Sequence, residues 1–118
     1  MNYLMIGAIS GCLVVIMGAF GAHALNEILD DYGKSIYNKA VLYHMFHSIA
    51  ILILGLINKI QPEIQLSIAG WSFLLGIILF SGSLYILAIT GIKPLGMITP
   101  IGGILFIIGW IVFFLKVK

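Results

Sequence analysis

Four long apolar runs, separated by short polar stretches, restrict the folds open to this chain. Each run has about 20 residues, the length that a helix rising 1.5 Å per residue needs to cross about 30 Å of hydrocarbon. The runs lack the alternation of barrel strands, and lipid cannot satisfy an open sheet edge. We therefore predict an all-α polytopic membrane protein with spans at residues 3–25, 39–57, 66–89 and 96–115.

The charge content agrees with this prediction. Only 8% of the 118 residues are charged, whereas soluble domains have about 25%. Six basic and four acidic side chains cannot cover the surface of a soluble fold. The length predicts a single four-span membrane domain, residues 1–118. The net charge of +2, without a basic cluster, gives no indication of nucleic-acid binding.

The connections between the runs are short, apart from the first. Residues 26–38 carry three of the four acidic residues but also several apolar ones. We predict that they include a short interfacial helix ending near Gly33. The other two connections are turns around Pro62 and Pro94. Short connections make successive spans antiparallel neighbours, so we expect an antiparallel four-helix transmembrane bundle.

The first run and the lysines bear on how the chain inserts. Ala22-His23-Ala24 resembles a signal-peptide cleavage site, but no lysine precedes the run and the run exceeds the usual h-region of about 7–15 residues. We therefore predict a retained span. The lysines divide three against three between the two sides of the membrane, so the positive-inside rule does not decide orientation. We expect both termini inside, and the tie also allows insertion in both orientations.

Small residues predict how the spans pack. Lipid gives no hydrophobic drive between helices, so close backbone approach must hold them together. The predicted packing positions are Gly7, Gly11, Gly18, Gly21, Gly76, Gly102 and Gly103. The stripe on the first span could equally serve a homo-oligomer. The third span carries small polar residues on two nearly opposite faces, so it should contact two neighbours. Trp71 and Trp110 are predicted to be interface anchors.

Polar side chains gather in the leaflet next to the first connection. His44 and His47 are three residues apart and share a helix face. His47 lies about 12 Å inside its span, where an ionisable residue usually faces the bundle interior. The predicted polar cluster or ligand-binding site comprises His23, Tyr43, His44, His47, Ser81, Ser83, Tyr85 and Thr99.

Three interpretations of this cluster stay open. The side chains could form only interhelical hydrogen bonds, for example from His47 to Tyr85. They could instead line a ligand or ion pocket under the first connection. His23 with His44 or His47 could also hold a metal or haem iron. No carboxylate or thiolate within a span joins the histidines, so we predict no metal and no cofactor.

Several familiar chemistries lack their residues. The chain has no G-x-S-x-G, no C-x-x-C and no phosphate loop. It has no arginine for bidentate capture of phosphate or carboxylate. No acidic residue lies within a predicted span, which argues against the small multidrug-exporter design. Cys12, the one cysteine, lies in an apolar run and is predicted to pack or to face lipid.

Four segments, taken in order, resemble a known family. They are Gly18-Ala-Phe-Gly-Ala-His-Ala-Leu25, Tyr43-His-Met-Phe-His-Ser-Ile-Ala-Ile-Leu52, Phe80-Ser-Gly-Ser-Leu-Tyr85, and Thr99-Pro-Ile-Gly-Gly103 followed by Gly109-Trp110. The chain resembles the small bacterial membrane proteins grouped as domain-of-unknown-function four-two-three. The resemblance implies a four-span protein of the bacterial plasma membrane, and it implies no reaction.

The resemblance also bears on the site. It implies that glutamine can stand in place of His44, whereas His23 and His47 belong to the pattern. This weakens a three-histidine metal site and fits a polar cluster better. We therefore predict a non-enzymatic binding or transport-type protein of the plasma membrane, with a pocket built around His23, His47 and Tyr85. The alternatives are a structural or partner-binding protein whose cluster only joins helices, and a histidine-ligated metal or haem protein.

Overall fold

The computed structural model describes all 118 residues, Met1–Lys118, as helices and connections without a strand. Four helices are long and apolar enough to cross a membrane. They are α1 (Tyr3–His23), α2 (Asp31–Ile60), α3 (Ser67–Thr90) and α4 (Thr99–Val117). A 3-10 turn at Lys93–Met97 leads into α4. The predicted all-α four-helix fold is confirmed.

The first connection differs from the prediction. No separate interfacial helix forms, and the residues after Asp30 instead form the first turns of α2, which has 30 residues. The Asp30 side chain caps this helix by accepting a 2.6 Å hydrogen bond from the Gly33 N–H. Gly33 therefore lies in the first turn of a helix and does not end one. At 1.5 Å per residue α2 is about 45 Å long, so it extends beyond the hydrocarbon.

The helices α2 and α3 form the centre of the bundle. Buried residues make up 44% of the most apolar stretch of each, against 17% in α1 and in α4. The helix α1 packs on α2, and α4 packs on α3. Contact between α1 and α3 is not extensive, and neither is contact between α2 and α4. This arrangement leaves two lateral grooves, one between α1 and α3 and one between α2 and α4.

The helix α3 contains one turn of π-helix at Ile77–Ser81. Such turns insert a residue and rotate the helix that follows. The Ser81 hydroxyl donates to the Ala40 carbonyl of α2 at 2.8 Å, whereas Ser83 lies 2.6 Å from Thr99 at the start of α4. The two polar faces of α3 therefore contact two neighbours, as the sequence predicted.

Aromatic rings meet glycines between α3 and α4. A Cβ at Gly76 would lie 2.5 Å from the Phe106 ring, and a Cβ at Gly109 would lie 2.6 Å from the Phe73 ring. Gly102 lies directly against the backbone of Phe80, which belongs to the π turn. Close approach at these positions lets the rings fill the space between the two helices.

The glycine stripe of α1 faces α2. A Cβ at Gly21 would collide with the Tyr37 ring, and one at Gly18 would lie 3.7 Å from Val41. The stripe, predicted to pack against other spans or against a second copy of the chain, is thus used largely within the chain. Gly11 is the exception, because an added Cβ there would meet nothing within 4 Å.

Alanine substitutions at Gly7 and Gly11 should therefore differ. A Cβ at Gly7 would lie 2.7 Å from the Leu52 side chain and 3.1 Å from its backbone nitrogen. We expect Gly7→Ala to lower the free energy of unfolding by about 1–2 kcal/mol through overpacking. Gly11→Ala should be neutral or stabilising by up to about 1 kcal/mol, from helix propensity alone. Titration with SDS in mixed micelles measures both, and equal losses would contradict this α1–α2 contact.

Candidate functional site

His44 joins three helices through a closed set of hydrogen bonds. It is 95% shielded, with only 5% of its surface exposed. Its Nδ1 lies 3.0 Å from the Tyr85 hydroxyl of α3, and its Nε2 lies 3.1 Å from the Ser10 hydroxyl of α1. Ser10 lies 2.6 Å from the Ser48 hydroxyl, which donates to the His44 carbonyl at 2.7 Å. We call these four residues the His44 network.

His47 points toward α4 instead. Its Nδ1–H donates to the Tyr43 carbonyl at 2.8 Å, since a carbonyl can only accept. Its Nε2 accepts from the Trp110 indole N–H at 3.1 Å. The ring stacks on Phe106 with centroids 3.5 Å apart. The two bonds fix a neutral tautomer, because a second ring proton would face the indole N–H.

A third group of polar contacts joins α3 to the start of α4. The Ser83 hydroxyl donates to the Phe80 carbonyl at 3.0 Å, and Thr99 contacts the Ser83 oxygen. Together with the bond from Ser81 to the Ala40 carbonyl, these contacts give both serines of the predicted cluster a hydrogen-bond partner. No buried side-chain nitrogen or oxygen in the protein lacks a hydrogen-bond partner.

The structure divides the predicted cluster. His23 is exposed at the end of α1 and forms no side-chain hydrogen bond. The sequence suggested a hydrogen bond from His47 to Tyr85. In the structure His44, and not His47, contacts the Tyr85 hydroxyl. Tyr43 is 39% exposed, and its ring centroid lies 4.5 Å from that of Phe80.

Sequence reasoning missed three participants. Ser48 is four residues after His44, a spacing that could have signalled its place on the same face. Ser10, on α1, was not included in the predicted cluster, and it bonds both His44 and Ser48. Trp110 was predicted to be an interface anchor and not part of the site, but its indole N–H donates to His47 Nε2. Trp71 is 52% exposed near the start of α3.

The structure does not gather histidines into a metal site. No group of three or more His, Cys, Asp or Glu side chains lies close enough to hold an ion. Both ring nitrogens of His44 and of His47 already have hydrogen-bond partners. Ligation by either ring together with His23 would require these bonds to break.

Three residues of the His44 network, namely Ser10, His44 and Tyr85, line the groove between α1 and α3, which we call the α1–α3 groove. Its volume is about 660 Å³, and its walls are apolar side chains such as Ile6, Ile9, Ile78 and Ile86. Its polar lining consists of Ser10, His44, Ser83 and Tyr85. No charged residue lines it.

A second groove, between α2 and α4, also has a volume of about 660 Å³. Its lining is mainly aromatic and includes Tyr43, Phe46, His47, Phe80, Phe106 and Trp110. The stacked rings of His47 and Phe106 both line it.

Comparison with known proteins gives one family. The family described as "Protein of unknown function (DUF423)" matches residues 17–103. A UPF0382 membrane protein of Staphylococcus aureus (strain bovine RF122 / ET3-1) is 50% identical over 109 residues, which cover 92% of this chain and 88% of that protein. The UPF0382 membrane protein YwdK of Bacillus subtilis is 44% identical over 110 residues, covering 92% and 89%. No solved structure matches.

Proposed function

The chain belongs to the DUF423 family of membrane proteins, and on that premise we propose that it binds an apolar molecule of the bilayer. The proposed site is the α1–α3 groove. In this proposal the chain crosses the bacterial plasma membrane four times and catalyses no reaction. It keeps Tyr85 of the predicted pocket and replaces His23 and His47 with His44, because His44 and Tyr85 both line this groove.

The groove itself is the observation that supports binding. Its volume of about 660 Å³ lies within the range of about 300–1,000 Å³ for small-molecule sites. Such sites combine apolar walls with a few placed polar groups, as this one does. In a bilayer the groove opens sideways, so a ligand would enter from the lipid.

The Ser10–His44 pair supports a non-enzymatic role. A serine nucleophile needs a base that takes its proton. Here the Ser48 proton is used on the His44 carbonyl, so Ser10 must donate to Ser48. Ser10 then has no proton to give to His44, and the ring nitrogen donates to Ser10 instead. The pair is therefore not arranged as a nucleophile and its base.

Photolabelling with a diazirine-bearing hexadecanol tests the proposal. We expect saturable labelling of residues on α1 and α3 that line the groove, read by peptide mass spectrometry of protein in nanodiscs. Gly82→Leu should abolish it, because Gly82 lines the groove and an added Cβ there meets only the Ile77 carbonyl, at 4.0 Å.

Gly11→Leu is the matched control. It adds the same side chain at a helical glycine that has open space beside it and lines neither the α1–α3 groove nor the groove between α2 and α4, so labelling should persist. Labelling that is not saturable, or that Gly82→Leu leaves unchanged, would rule out a binding site in the α1–α3 groove.

A structural or partner-binding role is the second candidate. It is supported by the observation that every buried polar side-chain atom is satisfied within the chain. Under this role the His44 network only joins helices, and a partner protein should co-purify under mild extraction. Saturable groove labelling of a protein that purifies alone would count against it.

A further inference from the structure

The protons of the His44 network can be assigned one by one. A carbonyl only accepts, so the 2.7 Å bond to the His44 carbonyl uses the Ser48 proton. Ser10 therefore donates across its 2.6 Å contact with Ser48. Since a hydroxyl has one proton, Ser10 accepts from the Nε2–H of His44 at 3.1 Å.

The same reasoning assigns the direction of the hydrogen bond between the Tyr85 hydroxyl and His44. No charged group lines the groove, and a charge within a membrane is costly, so the His44 ring is neutral. A neutral imidazole with its proton on Nε2 has a lone pair on Nδ1. Tyr85 therefore donates its proton to His44 Nδ1 across 3.0 Å. That donation polarises the phenol and makes its oxygen a better acceptor.

Ser83, the remaining polar group of the groove, is also without a free proton. Its hydroxyl donates to the Phe80 carbonyl at 3.0 Å, so the 2.6 Å contact with Thr99 must use the Thr99 proton. The groove thus presents oxygen lone pairs on Ser10, Ser83 and Tyr85 and no available donor.

From this proton assignment we propose that the ligand is an apolar alcohol, aliphatic or phenolic, whose hydroxyl donates to Tyr85. The inference rests on the proposed function and names its ligand class. Carboxylates and phosphates would meet only lone pairs, and an ammonium group would find no carboxylate in the groove. An alcohol supplies the missing proton without a charge.

The depth of Tyr85 suits such a molecule. Tyr85 lies five residues before Thr90, the last residue of α3, or about 8 Å along the axis. A hydroxyl bound there would lie in the half of the bundle that holds the end of α3. The apolar remainder would extend along the groove toward Ile6, in the first turn of α1, and Leu74, in the first half of α3.

A matched pair of probes tests the ligand class. Diazirine-bearing hexadecanol and its methyl ether share the same chain and differ in the hydroxyl proton. At equal concentration in nanodiscs, we expect the alcohol to label the groove about tenfold more than the ether, the scale of one good hydrogen bond. Tyr85→Phe removes the accepting oxygen and should bring the two probes close to parity. The wild-type ratio decides even if that variant fails to fold.

The outcomes separate this inference from the function on which it rests. Equal labelling by both probes, blocked in each case by Gly82→Leu, would overturn the alcohol preference and leave a groove that binds apolar chains. If neither probe gives labelling that Gly82→Leu blocks, both the alcohol preference and the proposed binding function are overturned.

Discussion

Replacing Gly102 with alanine is expected to lower the free energy of unfolding by about 3 kcal/mol and to loosen α4 from α3. The added Cβ would collide with the backbone nitrogen of Phe80 and lie 2.7 Å from its Cβ. Backbone atoms in the π turn cannot rotate aside as a side-chain tip can. The Phe80 ring is itself held between Tyr43 and Phe106, at centroid distances of 4.5 and 5.5 Å.

Gly103→Ala provides the control at the next residue. Its Cβ would make ordinary contacts with the Phe80 ring at 3.8 and 3.9 Å, so we expect a change within about 1 kcal/mol, including the gain in helix propensity. SDS titration gives both free energies, and cross-linking of cysteines placed on α3 and α4 reports their separation. Similar losses for the two variants would contradict the close approach at Gly102.

The fold could be predicted because a bilayer leaves few choices. Apolar runs of about 20 residues must be helices, and short connections must return the chain beside itself. The first connection was harder, because Gly33 signals a helix end when read alone. What reverses that signal is the Asp30 cap three residues earlier, which satisfies the Gly33 N–H.

The sequence predicted which types of residue form the polar contacts between the helices, but it did not predict which residues pair with one another. Residues three apart share a face, but they differ by about 60° around the axis. That angle sends His44 to α1 and α3 and sends His47 to α4. The π turn ends at Ser81, shortly before Tyr85, and it contains Phe80, which packs directly against Gly102 of α4. The apolar run around it predicted an uninterrupted span and gave no indication of this turn.

His44→Leu is expected to lower the free energy of unfolding by about 2 kcal/mol, the second large effect. The leucine side chain cannot form the two interhelical hydrogen bonds of His44. The Tyr85 hydroxyl then has no partner in an apolar interior, and Ser10 retains only its contact with Ser48. His44→Gln keeps one acceptor and one donor and should cost less than about 1 kcal/mol. A glutamine variant as unstable as the leucine variant would show that ring shape matters more than hydrogen bonding.

A double-mutant cycle separates this network from the pairing that the sequence suggested. His44→Leu and Tyr85→Phe remove the two sides of one bond, so their effects should fall short of additivity by about 0.6–1.7 kcal/mol. His47→Leu with Tyr85→Phe should be additive, because the partners of His47 are Tyr43 and Trp110. Coupling of Tyr85 to His47 and none to His44 would mean that the helices pack in another register. Coupling to His44 alone would support the hydrogen bond between His44 of α2 and Tyr85 of α3.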